Sequence, residues 1–253
     1  MVLFVTLLVA ATIAAAALWL APRLGRGRLI LATDPDSPHP FGWDTSWIAV
    51  RSSDTMAVVD ALGLEAPEDS NWNSGLGSVY DRDLGRDRIF VSPPVEGWTF
   101  AVGLALPGVM GPGFVDKCAP LLSQLAAEFD DVQYYLCYPE LDLFAWVRFE
   151  HGVLVRAFAM TEQGIVWNRG APTRPERALG LSFYELRGVK ERQGDAGGAL
   201  LLAPTEDHVL NIAASWGLDP SRLGQRRPTP ESTLGMLALA PRAWTVERIR
   251  RSA

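Results

Sequence analysis

From residue 2 to residue 21 the chain reads VLFVTLLVAATIAAAALWLA, 20 residues without a charge, a glycine or a proline. A helix of that length spans roughly 30 Å, the thickness of a bilayer's hydrocarbon core. The alternatives are a helix buried wholly inside a soluble domain, or a cleaved secretory signal. A signal should carry a basic start, a shorter apolar stretch and a small-x-small cleavage site. The Ala14 to Ala17 run could supply the site, but no Lys or Arg precedes the apolar run, and Leu18, Trp19 and Leu20 prolong it. The stretch therefore predicts a retained transmembrane anchor over residues 1–22, in contact with the lipid bilayer through residues 2–21. Positive charges flanking a span stay on the cytoplasmic side. Arg23, Arg26 and Arg28 come after the span, with Trp19 at the interface. The expectation is a single-pass protein of the inner membrane with its domain in the cytoplasm.

The residues beyond the span are numerous enough for one sizeable domain. The chain has 253 residues, 48% of them apolar and 21% charged, with nine Trp and ten Phe, so it can bury a core. A net charge of −6 argues against nucleic acid as a partner. The charge is uneven: residues 220–253 hold seven Arg and two Glu, a net +5, leaving −11 on residues 1–219.

The stretch TDPDSPHPFGW is rich in proline and reads as an extended linker, residues 23–42, before a globular domain over 43–219. SWIAVRSS reads as a strand and DTMAVVDAL as a helix, with Ser53 as N-cap and Gly63 as its stop. Residues 65–87, with three glycines and many charges, read as a loop. RIFVSPPVEGWTFAVGLAL contains two strands. In the second, Trp98, Phe100, Val102, Leu104 and Leu106 alternate with Thr99, Ala101, Gly103 and Ala105, a bulky face and a small one, as suits a central strand. Leu121, Leu125 and Phe129 mark an amphipathic helix. VQYYLCY, LDLFAWVRFE, VLVRAFAM and GIVWN add strands, with His151-Gly152 as a hairpin turn. TEDHVLNIAASWGLDP is a helix capped by Thr205 and stopped by Gly217. Residues 220–253 read as a basic Pro/Arg-rich extension containing a short apolar segment, LGMLALAP. The order predicts an α+β domain: an antiparallel-rich sheet with flanking helices, resembling a ferredoxin-like plait extended by a β-meander.

Motifs for phosphate, dinucleotide, acyl-transfer and metal chemistry are absent from the sequence, so no cofactor, metal site or catalytic residue is expected. His39, His151 and His208 do not share an element at ligand spacing, and Cys118 and Cys137 read as buried free thiols. DRDLGRDR alternates charge as a solvated loop does. One repeat is more specific. Trp72-Asn73-Ser74-Gly75 and Trp167-Asn168-Arg169-Gly170 are both W-N-x-G. Asn and Gly suit turns that need positive φ, and a Trp beside such a turn can pin it to the core. The sharper reading is that Trp72, Asn73, Trp98, Trp167 and Asn168 converge as a binding patch.

VSPPVEGWTFAVG, the two W-N-x-G turns and VLNIAASWGLDP, spread over residues 46–220, resemble stretches of small bacterial proteins of uncharacterised function. That resemblance implies no activity and no residue roles. The sequence thus points to a membrane-anchored, noncatalytic interaction or regulatory domain, of immunity type among other options, with a protein partner. Two other classes stay open: an enzyme with an unrecognised site, and an envelope component with its domain outside the cytoplasm.

Overall fold

Strands that are apolar on both sides need a covering layer on each face, and here they have one. The computed structural model describes residues 31–109, 116–161, 164–181, 204–225 and 234–244. Its strands are β1 (Thr45–Val50), β2 (Glu65–Ser70), β3 (Arg88–Val91), β4 (Thr99–Val102), β5 (Asp131–Tyr138), β6 (Leu143–Glu150), β7 (Val153–Thr161), β8 (Gly164–Arg169) and β9 (Gly235–Leu239). They form one antiparallel sheet in the order β2-β9-β3-β4-β1-β5-β6-β7-β8. The helices are α1 (Thr55–Ala61), α2 (Trp72–Tyr80), α3 (Cys118–Glu128), α4 (Arg174–Ala178) and α5 (Glu206–Trp216). This is an α+β fold, as the sequence predicts.

On the first face, α1 and α3 bury Val58, Val59, Leu121, Leu122 and Leu125 against Ile48, Val132, Tyr134 and Val147. On the second face lies an aromatic layer. Trp47 stacks on Tyr135 at 4.9 Å, Trp146 on Phe158 at 4.4 Å, and Trp72 of α2 meets Phe90 edge-on at 5.6 Å. Trp216 of α5 covers Tyr135 at 6.0 Å. Cys118 belongs to the first face and Cys137 to the second, and both are free and buried.

β4 is buried along its whole length as a central strand should be, but it ends at Val102. Leu104 is then exposed, and Leu106 joins the first-face core, so the alternation of bulky residues stops where the strand stops. α1 is capped not by Ser53 but by Asp54, whose Oδ1 accepts from the Ala57 N–H at 3.0 Å.

Three stretches differ more from expectation. Residues 65–87 are not a loop: they hold β2, α2 and a 3-10 turn at Leu84–Arg86. Asn71 caps α2 by accepting from the Ser74 N–H at 2.9 Å, and Trp72, Leu76 and Val79 line its buried side. Gly75 belongs there because a Cβ would sit 2.1 Å from Phe90. Residues 32–42 are extended, as their prolines require, yet they are not a free linker. Phe41 is fully buried, 5.4 Å from Phe100, 6.0 Å from Trp47 and 6.4 Å from Trp72. Asp36 accepts from the Trp72 and Asn73 N–H groups at 2.8 and 2.9 Å, filling two open donors at the start of α2. Finally, LGMLALAP is not part of a loose extension: β9 lies inside the sheet between β2 and β3, with Leu237 and Ala238 buried. Just before it in the chain, a 3-10 turn over Pro220–Gln225 buries Leu223, and Pro220 accepts from the Phe41 N–H at 3.2 Å.

Among the described residues no helix is long and apolar enough to cross a membrane. The expected anchor, with Trp19, Arg23, Arg26 and Arg28, lies outside the described residues, as do residues 226–233 and 245–253 of the basic extension.

Because Phe41 is a core residue, Phe41→Ala should cost about 3–5 kcal/mol of stability, read as a lower midpoint in urea. A linker residue would leave the midpoint unchanged.

Candidate functional site

The two W-N-x-G sequences do not meet. The first opens α2, which packs on β3, and the second ends β8. Six strand spacings separate β3 from β8, roughly 29 Å across the sheet. Their indoles also take different faces: Trp72 joins the aromatic layer, and Trp167 packs half-buried against the first-face core. Trp98 lies elsewhere again, buried where β4 begins, with the Arg51 guanidinium 5.3 Å from its ring. Nor do the asparagines take positive φ. Asn73 is exposed and held through its backbone N–H by Asp36.

The second motif has a different use. Asn168 Oδ1 accepts from Arg156 Nη1 at 2.8 Å, and the Arg169 and Gly170 carbonyls accept from the same nitrogen at 2.8 and 3.3 Å. Gly170 turns at φ +76°, and a Cβ there would meet the Val155 carbonyl oxygen at 2.2 Å. Arg156 is fully buried and pairs with Glu176 of α4, also buried, with Nε at 2.8 and 3.0 Å from the two carboxylate oxygens. The Trp146 indole donates to Glu176 at 3.0 Å, and the Thr173 N–H and hydroxyl donate at 2.7 and 2.8 Å. This carboxylate therefore serves at once as ion-pair partner and as the acidic half of a capping box. Sequence reasoning missed Arg156 and Glu176. Their signal was a lone arginine inside the apolar run VLVRAFAM, since a buried guanidinium requires a buried carboxylate.

A second network lies beside it on the same face. Arg148 Nη2 contacts Asp131 at 2.7 Å and Glu150 at 2.6 Å. Gln133 donates to Asp131 at 3.0 Å and to the Trp216 carbonyl at 3.2 Å, and accepts from the Tyr135 hydroxyl at 2.8 Å. Burial works against the Arg148 charge, but the bond to Asp131 and the charges of Asp131 and Glu150 outweigh it, and its pKa rises. Burial pushes the Tyr135 phenol well above its ordinary value, with Arg148 opposing and Asp131 adding to the rise.

Between α4 and α5 this network floors an open cleft of about 610 Å³, lined by Arg148, Thr173, Arg174, Pro175, Ser215 and Trp216 among others. Its hydroxyls are already committed. Thr173 donates to Glu176, and Ser215 donates to the Asn211 carbonyl at 2.8 Å.

Burial raises the Cys137 thiol to about 12, with Glu206 and Asp44 adding to it, and burial raises Cys118 further, so both are protonated thiols at neutral pH. His208 caps its own helix by accepting from the Thr205 N–H at 3.0 Å, and burial lowers its pKa. Among the described residues no group of His, Cys, Asp and Glu is placed to hold a metal ion.

Comparisons with known protein families, with characterised proteins and with solved structures found no match to this chain.

Breaking the buried pair on one side should be far more damaging than replacing both partners. Glu176→Ala leaves the Arg156 charge buried without its carboxylate and should cost about 3–5 kcal/mol. Arg156→Met with Glu176→Leu should recover most of that loss in the same urea titration.

Proposed function

We propose that this chain is a noncatalytic interaction domain, held at the inner membrane by a helix over residues 2–21, with its domain on the cytoplasmic side. Its core is a ferredoxin-like plait. The strand order β3-β4-β1-β5, with α1 and α3 on one face, supports that reading, and β6, β7 and β8 continue it as a meander. Its partner is a protein that adds a strand to β8, in a regulatory or immunity-type role.

The observation that carries this reading is the contrast between the two sheet edges. An edge strand presents unpaired N–H and C=O groups, and proteins guard such edges with proline, charge or bulges. β2 is guarded: it reads EAPEDS, with Pro67, exposed Glu65, Glu68 and Asp69, and Ala66 at φ 48° within an irregular register. β8 reads GIVWNR, with no proline and Arg169 as its one charge. It shares only a register irregularity, at Ala159/Met160, and among the described residues it pairs with β7 alone. Backbone pairing of this kind supplies affinity, and alternate side chains supply specificity. Of the five aromatic and amide residues marked in the sequence, Trp167 and Asn168 lie on this strand.

A pull-down from detergent extracts with the full chain should recover one stoichiometric protein, and Ile165→Lys, which guards the edge without touching the Arg156 network, should abolish recovery while the melting temperature holds. Recovery of no such partner, or its retention by the Ile165→Lys chain, would sink the edge reading.

The membrane reading has its own check. Protease added to intact spheroplasts should leave the domain whole, and permeabilisation should expose it; digestion in intact spheroplasts would place the domain outside, as an envelope component.

A further inference from the structure

Four of the six large apolar side chains exposed among the described residues gather at one end of the sheet: Trp43, Tyr80, Leu104 and Leu141, each 40–57% exposed. Trp43 leads into β1, whose first residue pairs with Cys137 just before the β5–β6 hairpin that carries Leu141. Leu104 comes just after the end of β4, where the Gly103 N–H donates to the Ser46 carbonyl at 3.0 Å. Tyr80 ends α2, and its hydroxyl donates to the Trp43 carbonyl at 2.9 Å. The charged residues within two positions of these four in sequence are Asp44, Asp81, Glu140 and Asp142 against Arg82, all exposed, and Arg88, whose carbonyl lies against Gly103, brings the net to −2. An apolar patch with an acidic rim suits a basic, apolar-bearing peptide and is repelled by an anionic lipid surface.

A segment of that chemistry begins at the same end of the sheet. Leu239, the last residue of β9, pairs with Arg88, and the Ala240 N–H donates to the Asp87 carbonyl at 2.7 Å. The described chain stops five residues after Leu239, at Trp244. Residues 245–253 read TVERIRRSA, three arginines against one glutamate, with a valine and an isoleucine. Nine residues reach about 30 Å when extended, enough to cross the patch.

We propose that residues 245–253 of this chain are the occupant of the acidic apolar patch. Docking within one chain is favoured by a high effective concentration, so an individually weak contact suffices to keep the patch covered. This proposal stands whether or not β8 takes a partner strand.

The test uses a fluorescein-labelled TVERIRRSA peptide and the full chain in detergent, beside the same chain truncated after Trp244, with fluorescence polarisation as readout. The peptide should bind the truncated chain and bind the full chain roughly tenfold more weakly, because the full chain's own tail competes. Asp81→Lys with Asp142→Lys in the truncated chain should weaken binding roughly tenfold. Leu104→Asp, at an exposed position outside any strand, should weaken it independently, and unchanged melting temperatures show that both variants fold. Equal binding to the full and truncated chains, or no binding to the truncated chain, overturns the proposal. So does indifference to both sets of replacements, or binding of the peptide to phosphatidylserine vesicles but not to the truncated chain.

Discussion

The constraint on which this molecule rests is that its central strands are apolar on both faces. All six residues of β1 and all four of β4 are buried, and so are the six interior residues of β5. An antiparallel sheet often leaves one face to water, but this one cannot. The first face is covered by α1 and α3, two helices with continuous aliphatic sides. On the second face α2 packs on β3, and α5 packs on β5 and β6. Large rings fill this layer, and Phe41 from the proline-rich strap touches Trp47, Trp72 and Phe100. An irregular segment can serve there because a buried benzyl group contributes by its area, not by the regularity of its backbone. The strap's polar groups are met at both ends, by α2 through Asp36 and by the 220–225 turn through the Phe41 N–H.

That constraint explains which parts of the fold were legible in the sequence. Period-2 runs such as VQYYLCY and LDLFAWVRFE, and caps such as Thr205, announce themselves locally, and they appear where expected. β9 does not, because five residues of GMLAL become a strand only by pairing with β3, which lies more than 140 positions earlier in the chain. The strap is hard to read for a related reason. Proline correctly excludes helix there, but nothing in a proline-rich composition tells whether an extended segment is solvated or packed. α2 is hidden by its glycines, which lower helix propensity, although Trp72, Leu76 and Val79 repeat at helical spacing.

The same four-letter pattern, W-N-x-G, serves two unrelated purposes. In the first, the glycine makes room for Phe90 within a helix, and the asparagine is held through its backbone N–H by Asp36. In the second, the asparagine side chain and two succeeding carbonyls coordinate a buried guanidinium. A motif of turn-forming residues reports local backbone options, whereas its role depends on what the sheet brings alongside. Alongside the second copy stands Arg156, 12 positions earlier in sequence and one strand away in space. An arginine flanked by valine and alanine is the more informative letter, because the cost of burying its charge must be offset by a specific partner.

The Arg156 cluster also fixes where β8 ends. Its guanidinium bonds residues 168, 169 and 170 in succession and reaches Glu176, so it ties the end of β8 and the start of α4 to one point on β7. A slip of β8 by one residue would move Asn168 to the opposite face. Arg156 would then lose an acceptor in a place where water does not reach to replace it, and Glu176 would be drawn off the position at which it caps α4. Apolar residues alone do not impose such a penalty, because Ile165, Val166 and Trp167 would find some hydrophobic contact in either register. The buried pair thus penalises a slip of register that the apolar side chains alone would tolerate.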